Sequence, residues 1–435
     1  MPIDIHLIRT NPQLVRESQT KRFGNVGLVD EVIELDSQWK VVTNLIDNLN
    51  RQKNLLQKEV TVFYKAKTPD LAKENLHLIA QIETQTKNEK DNKENLSRLI
   101  KEKLSKIGNI VAPDVVVSKD EDTDNKIIKT WGTIPVITNI LNHHTLLWKI
   151  GGFEPERGTK ISGHKGYFLT DVGVMLNQAV INYSINFLRT RQYKILQPPY
   201  FMKKDVMAGV AQLEEFDESL YHVGGGDSDA YLIATSEQPI CAYHKDEWMN
   251  ETELPKMYGG LSTCFRKEAG AHGKDVWGIF RVHQFDKVEQ FAICEDSIEK
   301  SDELQKQMLQ VAEEFYQSLG IPYRVVSIVS GALNNAAIRK YDLEGWFPGY
   351  ELYRELVSCS NCTDYQSRAM EIRCGTKKDT DETKRYVHML NSTLCACTRV
   401  ICCILELNQT ENGIIVPEVL RNYMGGMDFI PFIRE

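Results

Sequence analysis

FRKEAGAHGKDVWGIFRVHQFDKVEQF, residues 265–291, carries five Lys or Arg residues and four carboxylates on either side of a glycine-rich stretch. Because successive side chains of a β-strand point to opposite faces, the second half would place one set of residues on a single face: Arg281, His283, Phe285, Lys287 and Glu289. Arg266 and Glu268 would share a face of the preceding strand. GAHGKDVWG, residues 270–278, is typical of a loop between antiparallel strands. The stretch predicts a β-hairpin whose charged face either meets solvent or binds a charged ligand.

The composition is that of a folded globular protein. The chain has 435 residues, 42% hydrophobic and 9% aromatic, which is enough for one large core or two smaller ones. It contains no run of eighteen apolar residues, and the N-terminal MPIDIHLIRTNPQLVRES lacks the pattern of a secretory leader. We therefore expect a cytoplasmic protein.

Charge is unevenly distributed along the chain. The net charge of -8 argues against a nucleic-acid partner, because binding to phosphate is driven by basic surface. Residues 37–107, however, hold fourteen Lys and Arg against nine Asp and Glu. This segment remains a candidate surface for nucleic acid.

The ten cysteines are interpreted as reduced thiols, since no leader directs the chain to an oxidising compartment. Cys359 and Cys362 have the spacing of zinc ligands, which keeps a structural zinc site as an alternative. Four others lie in LCACTRVICCIL, residues 394–405, which is typical of a buried apolar helix: Cys395, Cys397, Cys402 and Cys403. No zinc is expected.

A heptad pattern begins at Leu35 and predicts a long helix. Its apolar seam continues through Trp39, Val42, Ile46, Leu49, Leu56, Val60 and Phe63, with Lys53 at one seam position. KTPD, residues 67–70, breaks the helix, since Pro69 cannot continue it. A second helical stretch runs from Leu71 to about Ile107. The two helices predict an antiparallel hairpin.

The hairpin has two interpretations that the residues alone leave open. The middle of the second helix, ETQTKNEKDNKEN at 83–95, has no strong hydrophobe and cannot bury a full core. The hairpin is then either a dimerisation coiled coil or a projecting arm whose basic side chains contact a phosphate backbone. Those basic side chains are Arg51, Lys53, Lys58, Lys65, Lys67, Lys93 and Arg98.

The organisation changes near residue 130. We expect an N-terminal domain at 1–112 with its coiled-coil arm at about 31–107, an acidic linker at 113–130, and a second domain at 131–435 with short β-rich segments. Within 167–202, a helix with an apolar face at Val174, Leu176, Ala179, Val180, Tyr183 and Phe187 leads into a strand that ends at Pro198-Pro199. We expect residues 174–200 to hold two copies of the chain together as a homodimer.

Two further stretches place polar groups two residues apart. In YLIATSEQP, residues 231–239, Thr235 and Glu237 at the end of a strand would share a face and could bind an ammonium group. In YVHMLNSTLCACTRVICCILE, residues 386–406, Asn391 and Thr393 have the same spacing on a strand. Arg399 follows on an apolar helix, where a buried guanidinium requires an anion.

These stretches together resemble the three motifs of class II aminoacyl-tRNA synthetases, and specifically the seryl-tRNA synthetase family of the cytosolic eukaryotic type. The helix with KILQPPYFM is similar to the first motif, FRKEAG through RVHQFDKVEQF to the second, and HMLNSTLCACTR to the third, with TSE and SCSNCTDYQSR between them. The resemblance implies an α+β protein. It would have an N-terminal antiparallel helical-hairpin arm and a catalytic domain built on a mixed, mainly antiparallel sheet flanked by helices.

The resemblance also implies an ATP site with bound Mg²⁺. Arg266 would bind the α-phosphate, Phe285 would stack on adenine, Glu268 would lie at the adenine side and Arg399 would bind the γ-phosphate. The full set implied for ATP is Arg266, Lys267, Glu268, Val282, His283, Gln284, Phe285, Glu355, Leu356, Val357, Ser358 and Arg399. Glu355 and Ser358 would hold Mg²⁺, and the residues implied for catalysis are Arg266, Glu268 and Arg399.

For the amino acid, the resemblance implies a serine site formed by Thr235, Ser236, Glu237, Glu289, Asn391 and Thr393. Glu237 and Thr235 would bind the ammonium group, and Glu289 with Thr393 and Asn391 would surround the hydroxyl. The implied reaction forms seryl-adenylate and pyrophosphate from L-serine and ATP, then transfers serine to the 3′-terminal adenosine of tRNA(Ser). Charging of tRNA(Sec) is left open. No protein nucleophile is needed, because catalysis rests on positioning and charge stabilisation.

Two positions depart from the pattern of the family. Lys165 stands where the family more often has arginine, and Ala369 stands where a second basic residue is common. The chain stops 36 residues after Arg399, which leaves no room for a C-terminal anticodon-reading domain. We therefore expect the arm to bind tRNA, through Arg51, Lys53, Lys58, Lys93 and Arg98.

Two alternative functions remain. One is a catalytically inactive paralogue that acts as a binding module, which should have lost a ligand residue. The other is a structural coiled-coil protein, which explains only residues 35–107.

Overall fold

The computed structural model describes residues 2–211, 219–224, 229–268, 277–375 and 384–435. The chain divides into two compact units, Ile3–Gly108 and Asn109–Glu435. Within the described residues no helix is both long enough and apolar enough to cross a membrane.

The first unit is helical. Its helices are α1 Ile5–Thr10, α2 Pro12–Lys21, α3 Gly27–Lys65 and α4 Pro69–Ser105. The Asp4 and Asn11 side chains cap α1 and α2 by accepting hydrogen bonds from backbone N–H groups of the first turn. Pro69 occupies the first position of α4, where a missing N–H costs nothing. The predicted antiparallel hairpin is confirmed by α3 and α4.

The arm is packed best near its base. Val42, Ile46 and Leu96 are buried against one another across the two helices. Further out, Lys53 pairs with Glu83 across the hairpin, with 3.4 Å between Nζ and Oε1. Such an exposed pair contributes at most about 1 kcal/mol to stability.

The second unit combines a large sheet with helices. Its helices are α5 Glu121–Asp124, α6 His143–Lys149, α7 Pro155–Ser162, α8 Val172–Arg189, α9 Lys204–Met207, α10 Glu237–Cys241, α11 Ile298–Ser318, α12 Tyr365–Met370, α13 Cys397–Leu407 and α14 Glu418–Arg421. In the part of this unit that the structure describes, short 3₁₀ helices lie at Glu251–Glu253, Ser330–Ala332 and Asn422–Met424. The strands are β1 Lys126–Trp131, β2 Phe153–Glu154, β3 Phe168–Leu169, β4 Lys194–Leu196, β5 Phe201–Lys203, β6 His222–Val223, β7 Ala230–Leu232, β8 Trp248–Met249, β9 Lys256–Phe265, β10 Gln284–Cys294, β11 Tyr323–Ser327, β12 Arg339–Phe347, β13 Leu352–Asn361, β14 Arg373–Cys374, β15 Arg385–Tyr386, β16 His388–Ala396, β17 Gly413–Ile415 and β18 Phe429–Pro431.

Eight strands form the main sheet in the order β1-β11-β12-β13-β16-β10-β9-β4. Neighbouring strands are antiparallel except β4, which runs parallel to β9. The apolar faces of α8, α11 and α13 join the sheet in one hydrophobic core. The predicted mixed, mainly antiparallel sheet with flanking helices is confirmed, and β9, β10, β13 and β16 lie next to one another within it.

The stretch expected as a linker, 113–130, lies inside the second unit. β1 Lys126–Trp131 pairs antiparallel with β11 as an edge strand of the main sheet. Val111 and Val115 pack against Val326. The apolar residues on both sides of the acidic run are therefore used for packing, and the second unit begins before the predicted boundary at 131.

The predicted charged hairpin is shorter than expected. β9 ends at Phe265, so Arg266 and Glu268 lie beyond the strand, and Glu268 has a positive φ of 47°. β10 begins at Gln284, after Arg281 and His283. The backbone of these four residues lies outside the paired strands, so strand alternation does not decide where their side chains point. Most of the predicted loop 270–278 lies outside the described residues.

All ten cysteines are buried and free, which agrees with their interpretation as thiols. One detail of the prediction is wrong. Cys395 lies on β16, and the apolar helix begins only at Cys397. The stretch LCACTRVICCIL is apolar throughout, so hydrophobicity alone could not locate the boundary between a buried strand and a buried helix.

Candidate active site

A cleft with an empty volume of about 460 Å³ opens beside the β9-β10 hairpin, β13 and the junction of β16 with α13. The residues that line it come from four separate segments of sequence: Arg266, Glu268, Phe280, Arg281, Val282, Phe285, Lys287, Glu355, Leu356, Thr393, Ala396, Thr398 and Arg399. Three guanidinium groups and one ammonium group share this space with two carboxylates. The excess of positive charge suits a polyanionic ligand.

Most of the residues that were predicted to bind ATP line this cleft. Those that do not line it are Lys267, His283, Gln284, Val357 and Ser358, which are sequence neighbours of lining residues. The prediction missed Phe280, Arg281, Lys287, Ala396 and Thr398 as lining residues. Alternation along β10 was the available signal for Lys287. Arg281 lies before that strand, and nothing local marks Ala396 or Thr398.

Arg266 is held by the backbone around it. Its Nε donates to the Ala234 carbonyl at 3.2 Å, and its amide donates to the His283 carbonyl at 2.9 Å. The guanidinium carbon lies 5.4 Å from the centre of the Phe285 ring. Cation and ring therefore form one wall, on which a planar base and a phosphate could be bound side by side.

Glu268 approaches a second arginine on the same wall. Its carboxylate lies 3.6 Å from Arg281, and its backbone carbonyl accepts a hydrogen bond of 3.0 Å from Lys165. Lys165, one of the two departures from the family pattern, thus supports the backbone of this segment.

Arg399 enters the cleft from the first turn of α13. Its Nη1 donates to the Glu355 carbonyl at 3.1 Å, and its guanidinium carbon lies 5.2 Å from the Phe280 ring centre. Burial lowers the pKa of this guanidinium, and the nearby cations Arg266 and Arg281 act in the same direction. The site without an anion therefore carries like charges at close range, which a bound polyphosphate would relieve.

Glu355 faces the same cations. Its enclosure in the cleft would raise the pKa of the carboxyl, but Arg399, Lys340 and Arg266 outweigh that effect and hold the pKa below its ordinary value. About half of the side-chain surface, 51%, remains open to the cleft. Glu355 is thus an ionised and accessible oxygen donor.

A β-bulge brings the two proposed magnesium ligands to one face of β13. Glu355 pairs with Glu344 and Ser358 with Asp342, with a register shift between the pairs. Residues three apart in a regular strand point to opposite faces, and the one extra residue corrects this.

The oxygen donors at this face fit Mg²⁺. Besides Glu355 and Ser358, the buried Asp342 leaves its Oδ1 without a hydrogen-bond partner among the described residues. Burial raises the pKa of Asp342 to about 7, against the pull of Lys340. Carboxylate and hydroxyl oxygens are the ligands that Mg²⁺ prefers.

A buried carboxylate, Glu289, lies next to the cleft. Its Oε2 accepts hydrogen bonds from Thr235 Oγ1 at 2.5 Å, Ser236 Oγ at 2.6 Å and the Glu237 amide at 2.9 Å. Its Oε1 lies 2.5 Å from Lys287 Nζ. Burial would raise the pKa of Glu289, but Lys287 and the two hydroxyls hold it below its ordinary value.

The second carboxylate of this pocket, Glu237, is fixed by two amides. Its Oε1 accepts from Asn391 Nδ2 at 2.9 Å and from Gln366 Nε2 at 3.0 Å. The prediction missed Gln366, which is 98% buried on α12 and has no nearby sequence signal. Glu237, Glu289, Asn391 and their hydroxyl partners form a hydrogen-bonded group that we call the carboxylate pocket.

Two details differ from the expected serine site. β7 ends at Leu232, so Thr235 lies in a loop and Glu237 opens α10; they do not share a strand face. Thr235 instead contacts Glu289, and Asn391 contacts Glu237 rather than Glu289. Thr393 lies opposite Glu289 in the β10-β16 register, as expected for neighbouring groups.

The basic residues predicted to bind tRNA lie on α3 and α4 in the first unit. Arg51, Lys58 and Arg98 are exposed. Lys93 lies 4.6 Å from the centre of the Trp39 ring, and Lys53 is paired with Glu83. The last two therefore also contribute to packing of the arm.

Comparison with known proteins identifies both units. Residues 3–111 match the family described as Seryl-tRNA synthetase N-terminal domain, and residues 221–408 match the tRNA synthetase class II core domain (G, H, P, S and T). The cytoplasmic serine-tRNA ligase of Dictyostelium discoideum is 56% identical over 441 residues, covering 100% of this chain and 96% of the relative.

Two solved structures are similar over the full length. The cytoplasmic serine-tRNA ligase of Naegleria fowleri in complex with AMP has a TM-score of 0.86 and 46% identity, with 99% of each chain covered. The seryl-tRNA synthetase of Pyrococcus horikoshii complexed with ATP has a TM-score of 0.91 and 36% identity, covering 99% of this chain and 100% of the other.

Proposed function

The chain belongs to the seryl-tRNA synthetase family of class II aminoacyl-tRNA synthetases, and from that membership we propose how its cleft works. The enzyme is an ATP-dependent serine-tRNA ligase. It activates L-serine as seryl-adenylate with release of pyrophosphate, and it transfers serine to the 3′-terminal adenosine of tRNA(Ser). It acts in the cytoplasm, as the names of its relatives state.

The observation that carries this proposal is that the carboxylate pocket adjoins the cleft that is lined by arginines. Lys287 lines the cleft and pairs with Glu289, and Thr393 lines the cleft opposite Glu289 in the sheet. A small amino acid whose ammonium and hydroxyl groups face Glu237 and Glu289 would present its carboxylate toward the arginines. That carboxylate is the group that must attack the α-phosphorus.

In the first step the serine carboxylate attacks the α-phosphorus and pyrophosphate leaves. Arg266 binds the α-phosphate and stabilises the charge that develops on the phosphoryl oxygens. Phe285 stacks on adenine, Glu268 contacts its polar edge, and Arg399 binds the γ-phosphate. Mg²⁺ held by Glu355 and Ser358 would supply positive charge against the phosphates.

The second step needs only positioning. A hydroxyl of the terminal ribose of tRNA attacks the carbonyl of seryl-adenylate, and AMP leaves with the bonding electron pair. We propose that the arm binds tRNA(Ser) through Arg51, Lys53, Lys58, Lys93 and Arg98, reading shape and backbone. The exposed arginines and lysines of α3 and α4 support this role.

We also propose that the enzyme is a homodimer. β4 is an edge strand of the main sheet. Beside it, an apolar groove with an empty volume of about 850 Å³ runs along Pro198, Pro199, Met202 and Ile240. An exposed apolar groove next to an open sheet edge is a typical surface for a second copy of the chain.

The main alternative is a catalytically inactive paralogue. Such a protein should have lost a ligand, whereas Arg266, Glu289 and Arg399 are present and assembled. Exchange of labelled pyrophosphate into ATP, measured with each of the twenty amino acids in turn, tests the proposal. We expect exchange with serine and a rate with alanine lower by on the order of 10⁴, because alanine leaves buried polar groups unpaired. Absence of exchange with serine would refute the activity.

A further inference from the structure

A buried histidine-glutamate pair lies outside the site described above. His143 on α6 and Glu406 on α13 are both 0% exposed, with 2.8 Å between His143 Nδ1 and Glu406 Oε1. His143 Nε2 lies 3.1 Å from the carbonyl oxygen of Trp277. The ring is therefore held between the Glu406 carboxyl group on α13 and the backbone carbonyl of Trp277.

Glu406 connects the pair to a third segment. Its Oε1 also accepts from the His143 amide at 3.0 Å, and its Oε2 accepts from the Gly349 amide at 2.9 Å. Gly349 lies in the turn between β12 and β13, and a Cβ added there would come within 2.9 Å of Glu406 Oε1. The approach of this turn to the carboxylate therefore requires glycine.

The segment held by His143 is also constrained to approach closely. Gly278 has a φ of 57°, and a Cβ added there would lie 2.9 Å from the side chain of His144. The ring of His144 contacts Trp277 edge-on, with ring centres 5.0 Å apart. Residues 277–278 are thus fixed directly against α6.

Each of the three connected segments leads to an arginine at or beside Phe280, and two of these arginines, Arg281 and Arg399, line the nucleotide cleft. Arg281 follows Trp277 by four residues, Arg354 follows Gly349 by five, and Arg399 lies seven residues before Glu406 on α13. Phe280 packs against His143 with ring centres 6.0 Å apart. The guanidinium carbons of Arg354 and Arg399 lie 5.3 and 5.2 Å from the centre of the same Phe280 ring.

Arg281 and Arg399 repel each other, although Glu268 and Glu355 lie beside them, so the scaffold helps to hold the two guanidinium groups together before ATP binds. We propose that His143 and Glu406 are positioning residues for the triphosphate: their buried hydrogen bonds fix residues 277–281, the β12-β13 turn and α13, so that Arg281, Arg354 and Arg399 converge. The inference rests on the proposed function, since it assigns the cleft to ATP. It concerns ATP affinity and leaves recognition of serine unchanged.

Two substitutions separate the contacts of His143. The amide of His143→Asn can reach Glu406 but not Trp277, whereas the longer His143→Gln can reach the Trp277 carbonyl. Displacing charged groups by a fraction of an ångström weakens binding strongly, so we expect His143→Asn to raise the KM for ATP roughly tenfold. His143→Gln should recover part of that loss. The KM for serine should change less than about twofold in both variants, because the carboxylate pocket shares no residue with this network.

The measurements are KM for ATP and for serine in pyrophosphate exchange, with thermal melting alongside. His388→Asn is the control, since His388 is buried at the start of β16 and touches neither ligand site. It should lower the melting temperature and leave the KM for ATP unchanged. If His143→Asn does not fold, Glu406→Gln replaces it, and the same selective rise in KM for ATP is expected.

Equal changes in the two KM values, or a lower melting temperature with an unchanged KM for ATP, would overturn the inference. The same KM for ATP in His143→Asn and His143→Gln would also overturn it. A wild-type enzyme without serine-dependent exchange would instead refute the proposed function, so the two failures are distinguishable.

Discussion

Lys287 keeps Glu289 ionised in a position where burial alone would favour the neutral acid. The ammonium group lies 2.5 Å from the carboxylate, and both side chains are more than nine-tenths buried. Because the pKa of Glu289 is held below its ordinary value, the carboxylate is present at neutral pH and is lost only as the pH falls into the acid range.

Removing the ammonium group should move this loss toward neutral pH. In Lys287→Met, burial is no longer opposed by a charge, so the pKa of Glu289 rises above its ordinary value. Serine-dependent exchange should then decline as the pH falls through a higher midpoint than in the wild type. The measurement is kcat/KM for serine across pH, with Lys129→Met as control, since Lys129 pairs with Glu313 elsewhere on the sheet. A superimposable pH profile for Lys287→Met would contradict this role of Lys287.

At the scale of residues, the sequence predicts what depends on strand alternation and misses what depends on distant contacts. Lys287 and Glu289 are two apart on β10, and their shared face follows from that spacing. Gln366 reaches Glu237 across 129 residues of sequence. Only the folded chain brings these two together, so neither composition nor periodicity indicates the contact.

At the scale of elements, the long helices are predictable and the strand irregularities are not. The heptad seam fixes α3, since an apolar stripe of that period can be buried only by a second helix. The bulge in β13 has no comparable signal, yet it brings Glu355 and Ser358 to one face. The edge strand β1 was not predicted, because the acidic run at 120–124 just before it is typical of a linker and the first half of β1 has only two apolar residues, Ile127 and Ile128.

The sheet edge at β4 leads to a prediction about assembly. Phe201, 60% exposed, lies in the apolar groove beside this strand, together with Tyr243 at 48%. If this groove binds a second copy, sedimentation equilibrium at micromolar concentration should give twice the 49.8 kDa of one chain. Phe201→Asp should shift the mass toward one chain, because burying an unpaired carboxylate in such an interface is costly. Phe168→Asp is the control, at an exposed aromatic outside the groove.

A wild-type mass of a single chain would contradict the dimer. A dimer that Phe201→Asp leaves intact would show that the copies associate through another surface.

At the scale of the whole molecule, the residues of the cleft and those proposed to bind tRNA lie in different compact units. Every residue that lines the nucleotide cleft or forms the carboxylate pocket lies in Asn109–Glu435. The basic residues proposed for tRNA lie in Ile3–Gly108. Replacing residues 41–95 by a short Gly-Ser linker retains the contact between Arg9 and Asp36 at the base of the arm. This variant should keep pyrophosphate exchange and lose transfer to tRNA.

The most direct test of the account is the rate at which labelled serine becomes attached to tRNA. The intact chain should attach serine only when ATP is present, and only while the 3′-terminal ribose of the tRNA is unoxidised. The chain shortened at 41–95 should attach it at least about a hundredfold more slowly, because the loss of several phosphate contacts weakens binding by orders of magnitude. Failure of the intact chain to attach serine, or an equal rate in the shortened chain that still catalyses exchange, would contradict the account.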